Sequence, residues 1–297
     1  MQAIDAVVFG DNQFFGINHM SQERAQQLAE QFYDLDNIFG VYRIAIDAGI
    51  RAVMLNSNDR AADICEHFRS RASQYPHLAW YPSIPYPHKF ANLISEMGMV
   101  AALTHILFKD TSALKGLGAM ARGGQALLSK DAIQLMRMLV DIEMRMFAGL
   151  DIRVVFLQNI VTDLILGLEL KDFFYEYCEH VRRTYGALPG LISQNLPRLR
   201  EQLQRWGISG LVICTSVNKI GYLMSPNLVA YQQALAANDP QLYQVMAMST
   251  LASGAIPPIE AYQFVNALNI QSVVFGASSK KHIEETVRLI RPAGASA

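Results

Sequence analysis

The chain has 297 residues, 51% hydrophobic and only 17% charged, with 25 basic against 26 acidic side chains and a formal net charge of −1. That length suits one large α/β domain better than two ordinary ones, and the apolar share supplies an ample core. The near-neutral balance lacks the basic excess that a phosphate-backbone binder needs, so nucleic acid is not an expected partner.

Three cysteines, Cys65, Cys178 and Cys214, form no Cys-x-x-Cys pair and build no disulfide framework, which fits a reducing compartment. The opening MQAIDAVVFGDNQFFG lacks the basic-then-apolar order of a signal peptide. The longest apolar stretch, Gly98 to Phe108, is interrupted by Thr104 and His105 and is far too short for a membrane span. A cytoplasmic chain with no membrane partner is therefore expected.

Short β-rich runs alternate with longer amphipathic stretches, the pattern of parallel strands joined by crossover helices. In chain order the strands fall at Ala6–Gly10, Ala52–Asn56, Leu78–Ser83, Arg153–Gln158, Gly190–Ser193, Gly210–Thr215, Gln244–Met248 and Ser272–Gly276. Between them, Asn37–Ala48 carries Ile38, Val41, Tyr42 and Ala45 on one side and stops at Gly49. Leu196–Trp206 repeats Leu199 and Leu203 before Gly207, and Lys280–Ile290 repeats Ile283, Val287 and Ile290. Residues 89–150 are too many for one crossover: helices are expected at Lys89–Met97 and Ser129–Phe147, with Ala101–Phe108 readable as helix or strand. The stretch 108–128, rich in glycine and polar residues, reads as an insertion with the composition of a mobile lid or a plain surface loop.

Eight parallel strands can close on themselves and leave no sheet edge. The expected architecture is a single (β/α)8 TIM barrel over residues 1–297, with its insertion between strands three and four. Helix Ser129–Phe147 holds Ile133, Leu135, Met136, Met138, Leu139, Met144, Met146 and Phe147, more than one core-facing stripe uses. With the low charged fraction, that predicts either a homo-oligomer or an insertion folded over the helix's far side.

In such a barrel chemistry sits where strands end. Those positions read Gly10-Asp11-Asn12-Gln13, Asn56-Ser57-Asn58-Asp59, then Tyr81, Tyr86, His88 and Lys89. Further on they read Gln158-Asn159 with Thr162 and Asp163, Ser193-Gln194-Asn195, and Thr215-Ser216 with Asn218. A rim of neutral amides hydrogen-bonds in both senses and suits a small polyhydroxylated or carbonyl ligand. Helix capping and loop satisfaction explain any single one of these residues equally well. After the last two strands come Ser249-Thr-Leu-Ala-Ser-Gly254 and Gly276-Ala-Ser-Ser279 opening a helix. Glycines allow close backbone approach and free amides at a helix start attract anions, so Ser249, Ser253, Gly254, Gly276, Ala277, Ser278 and Ser279 form a candidate phosphate site.

These segments resemble the aldo-keto reductases. Ala45-Ile-Asp-Ala-Gly-Ile50 is similar to that family's helix-to-strand junction, and Gly190-Leu-Ile-Ser-Gln-Asn195 to its fifth strand. The loops 249–254 and 275–286 are similar to its dinucleotide loops. The resemblance implies a nicotinamide cofactor, NAD or NADP, with serines and backbone on the pyrophosphate and Glu285 near the adenine. It also marks a departure. The family works with an aspartate, a tyrosine, a lysine and a histidine. Here Asn56 stands for the aspartate, Ala61 for the tyrosine, Tyr81 or Ser83 for the lysine, and Gln158 or Asn159 for the histidine. Neither asparagine nor alanine supplies the acid–base chemistry, so ordinary carbonyl reduction is expected to be absent or slow. Tyr81, His88, Lys89, Asn56 and Gln158 are the candidate catalytic residues. A lyase or isomerase of a phosphorylated metabolite, or a non-catalytic barrel, uses the same two loops.

Weaker signals are set aside. Gly116-Leu-Gly118 does not stand between a strand and a helix. His19, His88 and His105 with Asp11 lack ligand spacing, so no metal is expected. Cys214 reads as a buried, inert thiol, and Ser193 and Ser216 have no histidine motif beside them.

Overall fold

A computed structural model describes residues 2–15, 27–28, 30–85 and 130–290. The helix at Lys89–Met97, the stretch 101–108, the insertion 108–128, and His88 and Lys89 lie outside the described residues.

Eight parallel strands form a closed ring: β1 (Val7–Phe9), β2 (Ala52–Asn56), β3 (Ala79–Ile84), β4 (Val154–Leu157), β5 (Leu188–Ser193), β6 (Leu211–Ser216), β7 (Tyr243–Met248) and β8 (Ser272–Phe275). Each pairs with the next in the chain, and β8 returns to β1 through Val7↔Val273 to Phe9↔Phe275. The helices are α1 (Leu35–Asp47), α2 (Ala61–Ser70), α3 (Lys130–Met144), α4 (Asn159–Gly167), α5 (Lys171–Tyr185), α6 (Leu196–Trp206), α7 (Leu228–Ala236), α8 (Pro258–Asn266) and α9 (Lys280–Ile290).

An extra two-residue strand, Asp151–Ile152, pairs with β3 just before β4. Its register, Ala79↔Asp151, differs by one residue from Ser83↔Phe156 in β4. Arg153 is the residue that absorbs the difference, a bulge that bends the chain into the barrel.

Local chemistry explains the helix ends. The Asp34 side chain accepts from Asp36 N at the start of α1. Asn195 accepts from Arg198 N at the start of α6, whose far end turns on Gly207 at φ 70°. β5 begins two residues before the sequence expectation, with Pro189 lying opposite Val155 in the ladder.

Alternation along the strands sorts side chains into two cores. Inside the ring stand Val8, Met54, Tyr81, Phe156, Ile192, Cys214, Met246 and Val274. Gly190 belongs to the same lining, because a Cβ there would lie 2.3 Å from Phe156 Cδ1. Between ring and helices, Phe9, Phe14, Phe32, Tyr42, Phe68 and Trp80 interlock edge to face. Each such buried aromatic contributes roughly 1.5–3 kcal/mol of apolar transfer energy.

The amino end of the ring is closed by residues 2–5. Gln244 Nε2 donates to Gln2 O (2.6 Å), Ile4 N donates to Gln244 Oε1 (2.9 Å), and Ile4 packs on the interior cluster. Among the described residues no helix is long and apolar enough to cross a membrane.

Candidate functional site at the carboxyl end of the barrel

Counting two residues onward from the apolar interior layer gives the side chains that face the mouth: Asn56, Ser83, Gln158, Gln194, Ser216 and Met248, with Gly10 and Gly276 lacking one. The first three are joined. Gln158 Nε2 donates to Asn56 Oδ1 (2.5 Å) and to Ser83 Oγ (2.7 Å). The structure thus brings together Asn56 and Gln158, two of the predicted catalytic residues, with Ser83 standing between their strands.

Behind Asn56 sits a buried carboxylate, Asp11, 2% exposed. It accepts from Asn56 N (2.9 Å), Asn56 Nδ2 (2.6 Å) and Asn58 Nδ2 (3.4 Å). No cation pairs with it among the described residues. Burial pushes its carboxyl up to about 7, while the Asn56 donors pull in the other direction. A buried acid without a counter-ion is a costly feature, and such exceptions gather at sites of function.

Tyr81 does not join this group. Register sets it beside Met54, one layer below Ser83, and its hydroxyl donates to Asp5 Oδ2 (2.7 Å) at the amino end. Burial and the nearby Asp5 hold its phenol far above the usual range. The expectation of a rim acid at Tyr81 is therefore corrected: strand alternation aims it inward and down. Ala61, the counterpart of the family's tyrosine, is a fully buried methyl at the start of α2.

On the other side of the mouth, Gln13 Nε2 donates to Gly10 O (2.8 Å) and lays its amide over Gly276. A Cβ on Gly276 would lie 2.1 Å from Gln13 Oε1, so glycine is needed there to admit this side chain. Gln13 Oε1 and Ser216 Oγ are buried and find no partner among the described residues. Beyond Gly276, the backbone N–H groups of Ala277, Ser278 and Ser279 meet no acceptor among the described residues. Ser279 Oγ accepts from His282 N (3.4 Å) as the cap of α9. Ser278 is half-buried, and Glu285 is half-buried on the second turn of α9.

The β7 loop is shaped by its backbone. Ser249 (φ 54°), Ala252 (φ 46°) and Ser253 (φ 59°) all adopt the left-handed conformation, with Gly254 at φ 91°. Asn218, fully buried after β6, holds this loop by donating from Nδ2 to Ser249 O (3.3 Å) and Tyr222 O (2.8 Å). Ser253 Oγ meets Tyr222 OH at 3.3 Å. A second polar knot closes the end of β5, where Ser193 Oγ and Gln194 N donate to Asp163 of α4. Cys214, inside the barrel, is fully buried, and burial drives its thiol up, as expected of an inert side chain.

Reading the sequence placed Asp11, Gln13, Ser216 and Asn218 on the rim and offered Ser83 as an alternative to Tyr81, but assigned none of them to the candidate site. Strand parity alone picks out Ser83 and Ser216, two residues beyond Tyr81 and Cys214. Asp11, Gln13 and Asn218 stand on loops, where no period points to them.

No protein-family model matches the chain, and no curated protein matches it in sequence. Solved structures match its fold over nearly the full length. A protein from Pseudomonas aeruginosa assigned to the aldo-keto reductases superposes with a TM-score of 0.60 at 13% identity, covering 97% of this chain and 90% of that one. An aldo-keto reductase of Bacillus halodurans in its holo form gives 0.53 at 9% identity, covering 98% and 88%. A variant of Gox0644 in complex with NADPH gives 0.50 at 10% identity, covering 87% and 80%. The fold is that of the aldo-keto reductases, and the resemblance is distant.

Proposed function

We infer that the chain is a metabolic enzyme on an aldo-keto-reductase-like barrel, binding NAD or NADP and a small ligand in the mouth without the family's acid–base set. The observation that carries this reading is the neutral Asn56–Gln158–Ser83 cluster in the mouth, backed by Asp11. The amides and hydroxyl of that cluster orient a ligand and exchange no proton themselves, and the one acid beside them, Asp11, stands behind Asn56 and takes hydrogen bonds from it.

The residues present fit a dinucleotide. The N–H groups of Ala277, Ser278 and Ser279, in front of α9, meet no acceptor among the described residues and suit an anion. Gly276 leaves the mouth open beside them, with Gln13 rather than a side chain of its own over it. Ser249, Ser253 and Gly254 form the facing loop, and Glu285 stands on α9 where the resemblance places the adenine. When bound, the nicotinamide group would supply or accept a hydride. Gln158 would hold the small ligand, oriented by Asn56, which Asp11 fixes. The proposed catalytic set leaves out Tyr81, while His88 and Lys89 remain candidates from the β3 loop.

The test is a titration with NADPH, NADH and a panel of sugar phosphates, followed by intrinsic fluorescence and melting temperature. NADPH or NADH is expected to raise the melting temperature by mass action. Ser278→Glu puts a carboxylate among the anion-binding amides and is expected to abolish that rise in a protein that still melts cooperatively. An unchanged shift in the variant would overturn the assignment of the loop. A rise with sugar phosphates alone would transfer the site to a phosphorylated metabolite. Generic aldehydes with either cofactor are expected to give turnover at least about a hundredfold below a complete reductase site.

A further inference from the structure

The hydrogen bonds at the mouth have a direction. An ionised carboxylate only accepts, so Asp11 fixes Asn56 with Nδ2 toward itself. That leaves Asn56 Oδ1 facing Gln158, and an oxygen there demands the nitrogen of the Gln158 amide. Both Nε2 hydrogens are then used, one on Asn56 Oδ1 and one on Ser83 Oγ. Only Oε1 of Gln158 remains, and nothing donates to it among the described residues. Across the mouth the same logic holds. Gly10 O is an acceptor, so it takes Gln13 Nε2, and Gln13 Oε1 is left buried with no partner among the described residues. Ser216 Oγ, likewise without a partner among them, is a hydroxyl that serves either sense.

We propose that the Asp11–Asn56–Gln158 chain sets the polarity of the mouth, so that Gln158 Oε1 takes a hydrogen bond from a ligand's hydroxyl group and rejects a carbonyl at the same place. This deepens the reading above by naming the class of small ligand: an alcohol or polyol, not an aldehyde or ketone. An acceptor oxygen facing a carbonyl oxygen leaves two lone-pair-bearing atoms with no proton to share, a mismatch that costs a buried group its hydrogen bond. A hydroxyl supplies the missing proton. Gln158 contacts the ligand, while Asp11 and Asn56 are positioning residues that act through it.

Asp11→Asn supplies the discriminating experiment. With its Oδ1 taking Asn56 N–H, the new amide presents Nδ2 to Asn56 and turns that side chain over. Asn56 then offers Nδ2 to Gln158, which must answer with Oε1 and expose Nε2 to the mouth. The variant reverses the polarity of the chain without removing a side chain.

The probes are pairs that differ at one oxygen: glycerol against dihydroxyacetone, xylitol against xylulose, and glycerol 3-phosphate against dihydroxyacetone phosphate. Affinities are read by saturation-transfer NMR at pH 8.5, with and without NADPH. For at least one pair, the alcohol is expected to bind wild type about tenfold tighter than its ketone. Asp11→Asn is expected to bring that ratio below one, and Gln158→Met to bring it to one. The Met variant keeps the test open should Asp11→Asn fail to fold. A tighter ketone in wild type overturns the proposal. So does an unchanged ratio in a folded Asp11→Asn or Gln158→Met, or no binding by any pair at millimolar concentration. Failure of the dinucleotide reading looks different: NADPH does not bind, yet the alcohol preference stands.

Discussion

Asp11 shows how one buried residue couples the site to solution conditions. Its carboxyl is raised from 3.8 to about 7, chiefly by burial. Between those values the folded chain keeps a proton that the unfolded chain has released. The folded state therefore binds more protons there, and Asp11's contribution to stability falls as pH rises from about 4 to about 7, then levels. Asp11→Asn cannot ionise and is expected to lose that slope. Urea midpoints at pH 5 and pH 8 check this, with the wild-type-minus-variant difference changing by an amount on the order of a few kcal/mol. A parallel pH dependence in both proteins would show that Asp11 is not the titrating group. At this scale Asn56 and Gln158 were legible in the sequence because both stand at strand ends. Tyr81 misled because rim membership was read from proximity to the strand end and not from parity. Asp11's part stayed hidden because it depends on contact with Asn56, 45 residues away in sequence.

Among the elements, the loops differ from the strands in what holds them. All eight ring strands could be read from hydrophobic runs, since ring closure buries both faces and leaves little freedom in composition. The bulge at Arg153 could not, because one extra residue changes register without changing the apolar pattern. The β7 loop was read as a glycine–serine loop, yet its three non-glycine left-handed residues were invisible, since no residue type there calls for that conformation. Such residues cost of order 1–3 kcal/mol each and persist only where surroundings over-determine them. Asn218 supplies part of that surrounding through its bond to Ser249 O. Asn218→Ala is expected to destabilise the protein by about 1–3 kcal/mol. It is also expected to accelerate hydrogen exchange across Ser249–Gly254 while the strand amides of β6 stay protected. Unchanged exchange in the loop would show that the loop holds itself.

For the whole molecule the open matter is its outer face. α3 buries Met136, Val140 and Met144 at helical spacing, but Met138 is 50% and Ile142 44% exposed. Tyr175 on α5, which packs against α3 through the Arg137–Glu176 ion pair, is also half exposed. Exposed apolar groups on adjoining helices suit a contact between copies. A dimer mass by light scattering at micromolar concentration is expected, shifting toward monomer in Met138→Lys. A clean monomer mass for wild type would reject self-association.

The stopper at the amino end has a consequence for traffic. With the interior filled by the layer of Tyr81 and Phe156, and residues 2–5 tied to Gln244 and Tyr81 beneath it, the described residues leave no passage through the barrel below the mouth. Whatever enters the mouth leaves by the same route. A molecule seated deep near Gln158 cannot depart beneath a second one resting across the β7 and β8 loops. Occupants that overlap must then exit in the reverse of their order of arrival, last in and first out.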